Sequence, residues 1–268
     1  MISTAGLSPF VGITLVRENR EMFEADVQRD PMAKREIDAF RERIGGMETV
    51  EDLVNDYEVF SFVMKSFGME KEIYAKAMMK EIFTADPDDD KSLINRLTDD
   101  KYTLANEELG FNADGTADAN FTDPDWVEEM VERYTEQRLI DTQSDVNESV
   151  GTALAFEQKV SGLTSWYKVL ADTEMKEFIM TAFGMPESSA NASVDSLKKM
   201  LEKRMDIEDL QDPEVQEKLI RQFSAFAAVT QSQTTENAAV TLLSQGNSYN
   251  MVTIDIDSIQ GFSGYGTR

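Results

Sequence analysis

Apolar residues recur at helical spacing along most of the chain. After Asp30-Pro31 come Ile37, Phe40 and Ile44. After Asp123-Pro124 come Trp126, Val127, Met130, Val131, Tyr134 and Leu139, and after Asp212-Pro213 come Val215, Leu219, Ile220, Phe223 and Phe226. An aspartate before the first turn accepts a hydrogen bond from an orphan N–H. A proline at the first helical position gives up only an N–H that would have had no partner. These three pairs therefore predict helix starts. Further helices are predicted over 17–30 (Met22, Phe23, Val27), 49–67 (Leu53, Tyr57, Phe60, Met64, Phe67), 71–83 (Ile73, Ala77, Met78, Ile82), 142–161 and 236–244. The glycine-bearing loop 110–122 divides the chain into halves of about 31–111 and 123–230.

The pattern changes near the C-terminus. Val252, Ile254 and Ile256 alternate with Thr253, Asp255 and Asp257, the period of two expected of a strand. Residues 1–245 are thus read as one all-α domain, and 246–268 as a strand-like, flexible tail ending in the Gly- and Ser-rich stretch 261–268. The tail strand is expected to pair with the apolar N-terminus, with another subunit, or with nothing.

The two halves repeat. Residues 46–69 and 162–185 align without gaps and share eight identities in twenty-four, clustered in F-[VI]-M-x-x-F-G-M. That motif describes a helix end. Gly68 and Gly184 can take the left-handed conformation past the last turn, and Met69 and Met185 can fold back on it. Downstream, with small gaps, Asp86-Pro87 and Leu93-Ile94 align with Asp212-Pro213 and Leu219-Ile220. An internal duplication and a pseudo-twofold helical domain are expected.

Composition narrows the chemistry. The chain has 51 Asp and Glu against 26 Lys and Arg, a formal net charge of −25, with no histidine and no cysteine. Catalysis by His or Cys, Cys/His zinc sites and disulfides are excluded. So negative a surface disfavours nucleic acid and anionic membranes. No run reaches the roughly 18–20 apolar residues of a membrane span. The uncharged stretch 1–16 has no basic region ahead of it and is broken by Ser8 and Pro9, so no cleaved secretory signal is expected.

Among the acids, two clusters invite a metal reading. Asp86-Pro87-Asp88-Asp89-Asp90 resembles a calcium loop, yet Lys91 stands where the turn glycine belongs and Leu97 where the bidentate glutamate belongs; helix capping is the preferred reading. Asn112, Asp114, Asp118 and Asp123 surround Gly115, where a solvated turn is preferred. The repeated Phe and Met residues are read as core rather than as a partner groove. No phosphate loop and no nucleophile elbow occurs. No catalytic, cofactor or metal residue is assigned.

Several runs together resemble one family: D-P-M-A-K-R-E-I from Asp30, D-Y-E-V-F-S-F-V-M-K-S-F-G-M-E from Asp56, Y-A-K-A-M-M-K from Tyr74, N-R-L-T-D-D-K-Y from Asn95, and G-F-N from Gly110. The second half adds A-L-A-F-E-Q-K at Ala153–Lys159, L-A-D at Leu170–Asp172, T-A-F-G-M-P and D-L-Q-D-P at Asp209–Pro213. The chain before Ser232 is similar to the bacterial domain-of-unknown-function family twelve-seventeen. Asp100-Lys101-Tyr102 departs from it, standing where an Arg-Tyr is expected. The resemblance implies an all-helical protein, encoded mainly in alphaproteobacteria and often beside flagellar genes, and it carries over no catalytic residue.

The expectation is a non-enzymatic structural or assembly protein of the bacterial flagellum, acting by protein contacts through helical grooves or terminal segments. It is expected in the cytoplasm, or exported by the flagellar route without a cleavable signal. Self-association through the terminal segments is an associated expectation. An acidic cytoplasmic export chaperone or regulator of a flagellar secretion substrate is the second reading, and a carboxylate-based metal enzyme the third.

Overall fold

The computed structural model describes residues 3–97, 99–117 and 119–245, with side chains as far as 229 apart from 119, 187 and 190. Among these residues the regular structure is all α-helix and short 3₁₀ turns; the β pairing is one isolated bridge, Thr49 to Thr116. The predicted strand at 251–257 lies outside the described residues. One compact unit runs Met1–Ala227. Residues 228–268 are a second unit, described as helix to Gln245.

Thirteen α-helices are described. α1 (Pro9–Glu18) starts in the uncharged stretch, where no helix was predicted, and α2 (Arg20–Arg29) forms within the helix predicted over 17–30. Asn19, at φ −125° and ψ 27°, separates them, and its side-chain amide donates to the Leu15 carbonyl. The uncharged N-terminus is helical, not an unpaired strand edge: Ile13 and Val16 are buried and α1 packs on α9 (Glu148–Lys159). Gly12 permits that approach, because a Cβ there would lie 2.5 Å from the Val150 side chain.

α3 (Pro31–Arg43) starts at its Asp-Pro pair, with Asp30 accepting from the Met32 and Ala33 N–H groups. The helix predicted over 49–67 is two, α4 (Val50–Asn55) and α5 (Tyr57–Ser66). Asp56 ends the first and caps the second. α6 (Lys76–Phe83) begins later than the predicted Lys71, after a 3₁₀ turn. α7 (Asp100–Leu109) ends at Gly110, left-handed at φ 60°. The helix predicted over 142–161 is also split: α8 (Pro124–Val146) stops at Asn147 and α9 follows. The Asn147 amide donates to the carbonyls of Thr4 and Leu7, 143 and 140 residues away, so the break is part of the N-terminal packing. The chain continues through α10 (Trp166–Ala171), α11 (Thr173–Ala182), α12 (Val194–Glu202) and α13 (Pro213–Gln245). The separate helix predicted over 236–244 is the continuation of α13.

Local structure in the first half recurs in the second. α4 and α5 match α10 and α11 in length, Thr49 and Ser165 cap the first of each pair, and Asp56 and Asp172 cap the second. Phe40 stacks on Phe62 at 4.1 Å, and Phe156 stacks on Phe178 at 4.0 Å. Arg43 binds Asp56 and Glu58, as Lys159 binds Asp172 and Glu174. The closing helices also correspond: Tyr134 of α8 stacks on Phe62, and Phe223 of α13 stacks on Phe178. Buried Thr135 and Ser224 each donate to the carbonyl four residues back.

This changes the expected partner of Asp212-Pro213. Its structural counterpart is Asp123-Pro124, not Asp86-Pro87, because Asp86-Pro87 opens a turn and no α-helix. The first half thus carries an additional layer, α7 and the segment to Thr122, between α6 and its closing helix. In the second half a single 3₁₀ turn, Ile207–Gln211, leads from α12 toward α13.

Candidate functional site

The acid clusters that invited a metal reading are occupied by backbone. In the run from Asp86, the Asp86 carboxylate accepts from the Asp88 N–H and Asp89 accepts from the Lys91 N–H; Asn95 closes the loop by donating to the carbonyls of Pro87 and Asp89. The run caps turns, not the helix start that was preferred. In the central loop, Asp114 accepts from the Thr116 N–H and hydroxyl at 3.0 and 2.6 Å. Those bonds hold the Asp114 carboxyl below its ordinary range, the hydroxyl contributing most. Gly115, at φ 84°, lets the loop turn and offers its carbonyl to the Val50 N–H. Asp123 caps α8, and Asp118 lies outside the described residues. The loop is a turn docked on the start of α4. Among the described residues no three acidic groups converge as metal ligands.

A buried polar group was not visible in the sequence. Lys65 on α5 donates to Glu36 Oε1 of α3 at 2.7 Å, and the Tyr134 hydroxyl of α8 donates to Glu36 Oε2 at 2.6 Å. The Lys65 and Glu36 side chains are 7% and 12% exposed, so the pair is largely removed from water. Burial, and then the bond to Glu36, push the Tyr134 hydroxyl far above its usual value; it stays a donor at any working pH. Thr152, Thr181 and Phe223 stand at the corresponding places of the second half, where no such charge occurs. This group ties α3, α5 and α8 together.

The two repeated helix ends separate core from surface. At α5, Phe62, Met64 and Met69 are fully buried and Phe67 nearly so, as read from their spacing. Gly68 (φ 65°) ends the helix, and the Met69 N–H returns to the Met64 carbonyl. The Gln137 side chain lies over Gly68, and Arg133, paired with Glu108 of α7, lies over the Phe67 ring. At α11 the backbone is the same: Gly184 has φ 58° and the Met185 N–H returns to Met180. Its cover differs. Phe183 and Met185 are only half-buried. Phe226, at the place of Gln137, lies over Gly184 and is 46% exposed. Arg204 lies over the Phe183 ring and donates to the Phe183 carbonyl at 2.6 Å.

α12 ends at Glu202, two residues before Arg204. It buries Leu197 and Leu201 against α10, as α6 buries Met79 and Phe83 against α4. α6 is also covered by α7, whose Asn106 amide donates to the carbonyls of Ile82, Phe83 and Ala85. α12 has no such second helix among the described residues. Met200 is therefore half-buried where Ile82 is fully buried. The segment Lys198–Arg204 holds four cations and one acid in an otherwise strongly acidic chain. Lys199 and Lys203, one turn apart and exposed, make no ion pair among the described residues. The sequence signal for this surface is the cation density of 198–204, which no motif marks.

Comparisons with known proteins agree with the fold. A crystal structure of protein AGR_C_984 from Agrobacterium tumefaciens matches with a TM-score of 0.72 at 28% identity, covering 84% of this chain and 95% of that one. No curated protein matches the chain. A family model described as a protein of unknown function (DUF1217) matches residues 66–215. That span takes in α6 to α12 complete and is more than half of the sequence, so the chain belongs to the DUF1217 family.

Proposed function

We propose that the protein is a non-enzymatic assembly component that works by protein–protein contact, associated with the bacterial flagellum. The observation that carries the contact reading is the open end of α11. There a half-buried and exposed apolar set, Phe183, Met185 and Phe226, carries Arg204 on the Phe183 ring, while the equivalent end of α5 is closed. Large apolar side chains left at a polar rim are the usual composition of a protein-binding patch. The flagellar assignment is supported by the gene neighbourhood that the family resemblance implies.

Immunoblots of basal-body and hook preparations, with motility of a deletion strain, test the assignment. The expected results are co-purification and impaired swimming; absence from the preparations with normal motility would overturn it. An acidic export chaperone remains the second reading, favoured by the high negative charge. Secretion-dependent appearance outside the cell supports the structural role, and strict retention supports the chaperone.

A further inference from the structure

We infer that the bare side of α12, together with the open end of α11, is the docking site for an acidic amphipathic helix of another protein. Resting on the protein-contact reading above, the inference specifies the partner's chemistry. In the first half the matching place is filled from within the chain. α7 lies against α6 and binds its last carbonyls through Asn106, and this covering helix is acidic, carrying Asp100, Glu107 and Glu108 with Ala105 and Leu109 buried beneath. Glu108 also holds Arg133 over Phe67.

In the second half α12 has no counterpart of α7 among the described residues, and the surface left behind has matching chemistry. Phe226 lies over Gly184 and Arg204 lies over the adjacent Phe183, and half-buried Met200 stands four residues before Arg204; these side chains supply the apolar strip of the proposed site. Arg204, on Phe183, and the exposed Lys199 and Lys203 supply its proposed cationic border, and the polar contact of Arg204 is a carbonyl rather than a carboxylate. An incoming helix with apolar residues at i, i+3, i+4 and i+7 and acids beside them would bury the strip and neutralise the border. A second copy is disfavoured because it brings a charge of −25 against an equal charge, far more than one short acidic helix carries to the local cations.

The probe is a fluorescent synthetic peptide of about 18 residues, with leucines on one helical face and glutamates elsewhere, long enough to hold a marginal helix in water. It is titrated into the full chain and followed by anisotropy, beside a version with every glutamate replaced by lysine. The expected result is saturable binding of the acidic peptide, weakened by salt. Affinity should fall at least tenfold in Lys199→Glu/Lys203→Glu and in Phe226→Ser, and persist in Lys199→Arg/Lys203→Arg. All these positions are exposed, so the variants should keep the wild-type circular dichroism. Equal binding of the lysine peptide, or unchanged affinity in both disruptive variants, overturns the inference. So does binding of phosphatidylglycerol vesicles in place of the peptide, or self-association in sedimentation that the Lys199/Lys203 pair controls. Basal-body blots and motility read the flagellar assignment separately, so either can fail while the other stands.

Discussion

The ends of α5 and α11 are the same local structure put to different uses. Both finish on a left-handed glycine and return a methionine N–H to the last turn. At the first, Gln137, Arg133 with Glu108, and the neighbouring α7 close the surface; at the second, Phe226 and Arg204 leave it open, and among the described residues α12 has no counterpart of α7. The interiors beneath differ as well: Glu36, Lys65 and Tyr134 form a buried charged group in one half, where Thr152, Thr181 and Phe223 stand in the other. The motif's own residues therefore set its backbone. Its exposure is set by whatever the rest of the chain lays over it.

The shared part is the sharpest thing to break. Phe62 and Phe178 are both fully buried in matching stacks, so either Phe→Ala substitution is expected to cost about 3–5 kcal/mol in urea unfolding. A cost at one site less than half that at the other would end the equivalence of the two cores. Next comes the part that differs. Lys65→Ala leaves Glu36 buried without its counter-ion and is expected to cost about 3 kcal/mol, against about 1 kcal/mol or less for Thr181→Ala. Importing the second half's residues as Glu36→Thr/Lys65→Thr/Tyr134→Phe should recover most of that loss, since no charge is then left buried. If the triple variant is less stable than Lys65→Ala, the first half depends on its charges for more than mutual neutralisation.

Smaller effects refine the comparison. Asp56→Ala and Asp172→Ala each remove a cap that takes two backbone N–H groups, so thermal unfolding should show about 1 kcal/mol lost at each. Asp141 of α8 gives the smallest expected change. Burial raises its carboxyl pKa, with Glu70 and Glu174 adding to the rise while Gln137 and Arg138 oppose it. A carboxyl held high in the folded state opposes folding while ionised, so stability increases as pH falls through the folded value. Asp141→Asn should therefore unfold at slightly higher temperature than wild type at pH 7, with the gap narrowing toward pH 5. A gap that widens on acidification would show the sign to be wrong.

Much of the helical framework was legible in the residues themselves. The Asp-Pro starts at 30, 123 and 212 and the glycine ends at 68 and 184 are signals spanning one or two turns. The breaks at Asp56 and Asn147 were missed because a single capping residue hardly disturbs the apolar period on either side. Asp86-Pro87 was misaligned because its dipeptide is shared with real helix starts, whereas Asn95 folds it into a turn through the carbonyls of Pro87 and Asp89. The candidate site was hidden for another reason. Glu36, Lys65 and Tyr134 come from three helices, and the openness of α12 consists in lacking, among the described residues, a cover that α6 has.

By itself the sequence determined an all-helical chain, its main start and stop signals, and the likeness of its halves, because periodicity, capping and left-handed glycines are decided among near neighbours. The excess of acid belongs partly to that level, since Asp30, Asp56, Asp123 and Asp172 cap helices. Only the tertiary structure decided which charges are buried together, where long apolar runs break, and which copy of the repeated helix end faces water. Each of these depends on groups far apart in the chain excluding solvent from one another, and no local pattern records it.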